Sequence, residues 1–99
     1  MDVDKAGLEA LRDAIQHMHG LRSEWVESVP IREVFKGELV FEGEIQVFSV
    51  EHPKATQAYA WSHAVGETGR RKFFAVLGVP PVTSALLALR ASIASGQAT

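Results

Sequence analysis

The chain has 99 residues, 46% of them apolar and 22% charged, with no cysteine and a formal net charge of −2. That is one domain's worth of chain, taken here as residues 1–99, with enough apolar residues for a core and too many for disorder. Disulfides, thiolate metal sites and cysteine nucleophiles are excluded, and the basic excess of a dedicated duplex nucleic-acid binder is missing.

The start, Met-Asp-Val-Asp-Lys, is acidic and polar with no apolar stretch behind it, which argues against a signal peptide. The longest apolar run, Phe73 to Val82, contains Pro80 and Pro81 and is about half of what a membrane span needs. The expected setting is the cytoplasm, with no membrane partner.

The first element is an amphipathic helix. Leu8, Leu11, Ile15 and Met18 fall on one face, Asp4 is a candidate N-cap, and Gly20 is a natural stop. From Trp25 the pattern becomes strand-like, with Trp25, Val29, Ile31 and Phe35 on one parity. Pro30 lacks an N–H, so this strand belongs at a sheet edge or breaks there. Lys36-Gly37 is a tight turn. The second strand runs from about Glu38 to Val50, with Leu39, Phe41, Ile45 and Val47 on its apolar face and Gly43 as a candidate bulge or bend. A three-residue loop containing Gly37 would keep odd positions of both strands on one face.

After a loop at Glu51-His52-Pro53-Lys54, a third strand spans about Thr56 to Val65. Gly66-Glu67-Thr68-Gly69 signals a hairpin, and the fourth strand runs from about Arg70 to Val79. Thr83 or Ser84 caps a second helix, with Val82, Leu86, Leu89 and Ile93 on one face, Gly96 as its end and Gln97 to Thr99 frayed. The order α-β-β-β-β-α predicts an α+β domain, a four-stranded antiparallel meander flanked by an N-terminal and a C-terminal helix.

The last hairpin carries the functional content. With Glu67-Thr68 as the turn, Val65 faces Arg70, His63 faces Lys72, Trp61 faces Phe74 and Tyr59 faces Val76. The opposite face is rich in alanine, which lets helices approach closely, so both helices are expected there. Tyr59, Trp61 and Phe74 would then be apolar anchors, with His63, Arg70 and Lys72 as a charged rim. A monomer rarely leaves such residues wet. Three coverings are compatible: a curled sheet or crossing helix, a symmetry mate, or a ligand, peptide or nucleic acid.

Other constellations carry less. His17 and His19 are two apart on a helix and diverge, and His52 and His63 lack partners at ligand spacing, so no metal or cofactor is expected. Glu42 and Glu44 share a strand face but match plain surface charge. Ser62 and His63 are adjacent in a strand and face opposite ways, so no catalytic residue is assigned. Arg70-Arg71-Lys72 beside Trp61 and Tyr59 has the ingredients of a single-stranded nucleic-acid surface. The helix–strands–helix order approaches that of double-stranded-RNA-binding domains, but Val82, Thr83, Ser84 and Ala85 stand where a basic helix start belongs. The segments Trp25–Pro30, His52–Ala55, Tyr59–His63 and Val79–Ser84 resemble those of small uncharacterised bacterial proteins. The resemblance implies a stand-alone bacterial domain and brings no activity.

The expected function is therefore that of a small non-enzymatic domain that binds protein, most simply as a homodimer through a sheet face. The alternatives are single-stranded nucleic-acid binding on the same face, or a small enzyme or ligand-binding protein with a pocket between sheet and helices.

Overall fold

The computed structural model describes residues 5–65 and 70–94. Its elements are α1 (Lys5–His19), β1 (Ser23–Phe35), β2 (Glu38–His52), β3 (Ala55–Val65), β4 (Arg70–Leu77) and α2 (Ala85–Ala94). The strands form one antiparallel sheet in the order β1-β2-β3-β4. The predicted meander with a helix at each end is what the chain adopts. The expected cap at Asp4, turn at 66–69 and stop at Gly96 lie outside the described residues.

Helix α1 ends as its sequence dictates. Gly20 takes φ +68° and its N–H donates to the Gln16 carbonyl at 2.8 Å, closing the last turn at a backbone angle that side chains resist. Leu11 and Ile15 are buried while Met18, at the end of the predicted stripe, is exposed. Arg12 Nε donates to the Ser23 carbonyl (3.0 Å) and His19 Nε2 lies 2.7 Å from the Ala75 carbonyl. A carbonyl only accepts, so His19 carries its proton on Nε2. These two bonds hold α1 to the two outer strands.

Pro30 lies in an edge strand, as its missing N–H requires, and β1 continues through it. The first hairpin turns on two residues, not three. Lys36 (φ 52°) and Gly37 (φ 80°) form the mirror-image turn suited to right-twisted strands. That turn pairs Phe35 with Glu38, odd with even. An extra residue in β2, Val40, then shifts the register so that Glu33 faces Phe41 and Val29 faces Ile45. Odd therefore faces odd, as the apolar pattern demands, through a bulge in place of a longer loop. Gly43 is not the bulge; it pairs in register with Ile31. A second extra residue, Val26, moves Trp25 opposite Phe48 and so onto the other face from Val29 and Ile31.

The last hairpin has the predicted register throughout its described pairs, including Val65 with Arg70 and Trp61 with Phe74. The helices depart from expectation. Leu11 and Ile15 of α1 pack on the alanine face with Phe48, Val50, Ala58 and Ala60. Helix α2 packs on the opposite face, where Ala85, Ala88 and Leu89 meet Ile45, Val47, Tyr59, Trp61 and Phe74. The sheet is thus the middle of three layers. Its centre is apolar on both faces, and one helix cannot cover both. Residues 45–48 of β2 are consequently buried in an unbroken run.

Ser84 opens α2, its Oγ accepting the Leu87 N–H at 3.2 Å. Arg90 fastens the helix to β1 through a 2.6 Å bond from Nε to Glu33 Oε2. The buried stripe is Ala85, Ala88, Leu89 and Ser92, with Leu86 from the predicted stripe only half-buried.

Beyond Gln46↔Ala60 the β2–β3 ladder has no further pair among the described residues. The sheet forks there into two two-stranded arms, β1–β2 and β3–β4. The Phe41 and Trp61 rings, 6.5 Å apart and edge-to-face, join the arms beneath α2.

Candidate functional site

The six residues predicted as a binding surface share one sheet face, but the structure divides them. Tyr59, Trp61 and Phe74 are 3%, 2% and 4% exposed. They belong to the core beneath α2 and are corrected here from docking anchors to packing residues. The reason is the crossing of α2 to their face, where burying each ring contributes about 2–3 kcal/mol that an open sheet would forgo. Trp61 stacks on Phe74 with centroids 5.1 Å apart and planes 6° apart. Burial also raises the Tyr59 phenol above its ordinary pKa, because the phenolate would be poorly solvated there.

The predicted rim lies at the outer end of this stack. The His63 ring lies on Phe74 at 5.3 Å, and Lys72 Nζ stands 5.4 Å from the Phe74 centroid. Arg70 and Lys72 are exposed. Arg71 points to the α1 side, donating from Nε to Ser62 Oγ (3.0 Å) and from Nη2 to the Ser62 carbonyl (3.1 Å). The basic triplet is real, but the aromatic rings that would stack nucleic-acid bases beside it are covered.

Polar chemistry elsewhere is structural. Gln46 is fully buried on the α1 side, and its Oε1 accepts from Trp25 Nε1 (2.8 Å) and Ser28 Oγ (2.6 Å). An indole only donates, so the amide oxygen faces it. Gln46 Nε2 and Trp61 Nε1 are buried without a hydrogen-bond partner. Glu42 pairs with Arg32 at 3.3 Å, both well exposed, which leaves it a solvated surface charge. A crevice of about 330 Å³ is lined by Glu9, Arg12, Asp13 and Gln16 of α1 and by Leu21, Arg22 and Ser23 where the chain enters β1. No group of three metal-ligating side chains converges among the described residues.

The candidate surface that sequence reasoning missed is the end of the β1–β2 arm. Val34, Phe35, Leu39 and Val40 flank the Lys36-Gly37 turn and are 40–50% exposed. Lys36 Nζ lies back over the Phe35 ring at 5.4 Å. The signal was present in the chain. Two adjacent apolar residues on each side of a turn exceed what a strand with one buried face requires. Comparison with protein family models, curated proteins and solved structures finds no match for the chain.

Proposed function

We propose that the chain is a non-enzymatic binding domain that pairs with protein, most simply with a second copy of itself. The supporting observation is the apolar end of the β1–β2 arm. Four large side chains stand half-exposed at a projecting turn, away from both helices' core contacts. Clustered apolar side chains at a projecting turn are the kind of surface that association covers. The pairing surface in this reading is the forked end of the sheet in place of the aromatic face that α2 covers.

The setting is the bacterial cytoplasm. The absence of cysteine and the resemblance of the Trp25–Pro30 and Tyr59–His63 segments to small bacterial proteins support it. No described helix is long and apolar enough to cross a membrane.

Sedimentation velocity over a wide concentration range tests the reading. The expected result is a reversible dimer that becomes monomeric in Phe35→Asp with Leu39→Asp, with an unchanged far-ultraviolet circular dichroism spectrum. A wild-type chain that stays at monomer mass at every concentration removes it.

A further inference from the structure

The net charge of −2 conceals a separation of charge between the two hairpins. Strands β1 and β2 carry seven glutamates against one cation, Arg32. Strands β3 and β4 carry Arg70, Arg71 and Lys72 and no acidic residue. In an antiparallel meander, the Lys36-Gly37 turn and the Val65/Arg70 end lie at the same end of the sheet. That end is the forked one. Among the described residues, Glu38 is the last paired residue of one arm and Arg70 of the other, opposite Phe35 and Val65 respectively. Counting register from Glu33, which meets α2, and from Trp61, which α2 covers, both fall on the α2 face. Both are exposed. Lys36, the other cation of the tip, is folded over Phe35.

These positions are self-complementary under one symmetry operation. A two-fold axis along the sheet normal, placed beyond the fork, turns a second copy end to end and exchanges its left and right edges. It keeps the α2 faces on one side. The acidic arm of each copy then meets the basic arm of the other, and Glu38 meets Arg70 twice. An axis across the strands would oppose acid to acid and base to base. We infer that the partner is a second copy joined end to end about the sheet normal, with the β1–β2 arm of each against the β3–β4 arm of the other. This rests on the self-pairing reading above and specifies its geometry.

The test uses full-length protein in sedimentation equilibrium. Glu38→Lys alone and Arg70→Glu alone each place two like-charge contacts in the homodimer, so each is expected to pair roughly tenfold more weakly or worse. An equimolar mixture of the two variants restores both attractions in the heterodimer, as does the double variant in its homodimer. The wild-type dimer should also weaken between 0.05 M and 0.5 M salt. Recovery in the mixture supports the arrangement. A wild-type dimer whose affinity neither single variant changes, or whose loss the mixture does not repair, overturns the arrangement and leaves self-pairing intact. Assemblies that grow beyond two copies overturn it also. A monomer under all conditions overturns both readings.

Discussion

The Trp61 indole lies almost parallel to the Phe74 ring, 5.1 Å away, and both rings sit beneath α2 of their own chain. This stack closes the α2 side of the core at the fork of the sheet. Trp61→Ala should destabilise the fold by about 3–5 kcal/mol, the range for removing a buried aromatic. Guanidinium denaturation measures it. A variant of unchanged stability that only loses apparent mass would return Trp61 to an interface.

Arg90 and Glu33 give α2 a pH-dependent anchor. The hydrogen bond from Arg90, with its charge, holds the Glu33 carboxyl below its ordinary 4.5, and Glu33 holds the Arg90 guanidinium above its usual range. For a carboxyl lowered in the folded state, the stabilisation is complete above its unfolded pKa and fades as pH falls through the folded one. Glu33→Gln should therefore melt lower than wild type at pH 7, and the gap should shrink as the pH falls below 4.5. Arg90 is more than half exposed, so the gap should also narrow in 0.5 M salt. A gap that is constant with pH assigns the pair no role.

Gly78 is held by space, not by backbone angle. A Cβ there would stand 3.0 Å from the Gln57 carbonyl oxygen and 3.2 Å from the Tyr59 ring. The Gly78 N–H donates to that same carbonyl at 2.8 Å, so the oxygen cannot retreat without losing the bond. Gly78→Ala should cost about 1–3 kcal/mol in chemical denaturation, the usual range for overpacking. A neutral result would show that the end of β4 yields freely.

The turn at Lys36 offers a gain. Its φ of 52° suits asparagine better than lysine, and Asn-Gly is the preferred pair for this turn. Lys36→Asn should raise stability by about 0.5 kcal/mol, read as a shift in denaturation midpoint. A loss would mean that the lysine stem over Phe35 contributes more than the backbone strain.

Much of the fold was legible along the chain because the signals are local. Alternation marked the strands, Gly20 the end of α1, and Pro30 an edge. The spacing of Trp61 and Phe74 about an expected Glu67-Thr68 turn set their register. The two bulges were not legible. Gly43 seemed the natural place, yet the extra residues are Val26 and Val40, because a bulge resolves a mismatch between turn length and facial parity across two strands. Neither strand carries that information alone.

The site was legible in its parity and not in its exposure. Sequence by itself determined that Tyr59, Trp61, His63, Arg70, Lys72 and Phe74 share one face of a hairpin, since side chains alternate with a period of two. Only the tertiary structure decided which helix covers which face. Alanines invited both helices, but α1 fills that face with Leu11 and Ile15, and the large rings opposite gain more by burial than α2 would gain from water. Local periodicity states that a face is apolar; what comes to cover it is settled by the competition of the whole chain for the same buried area.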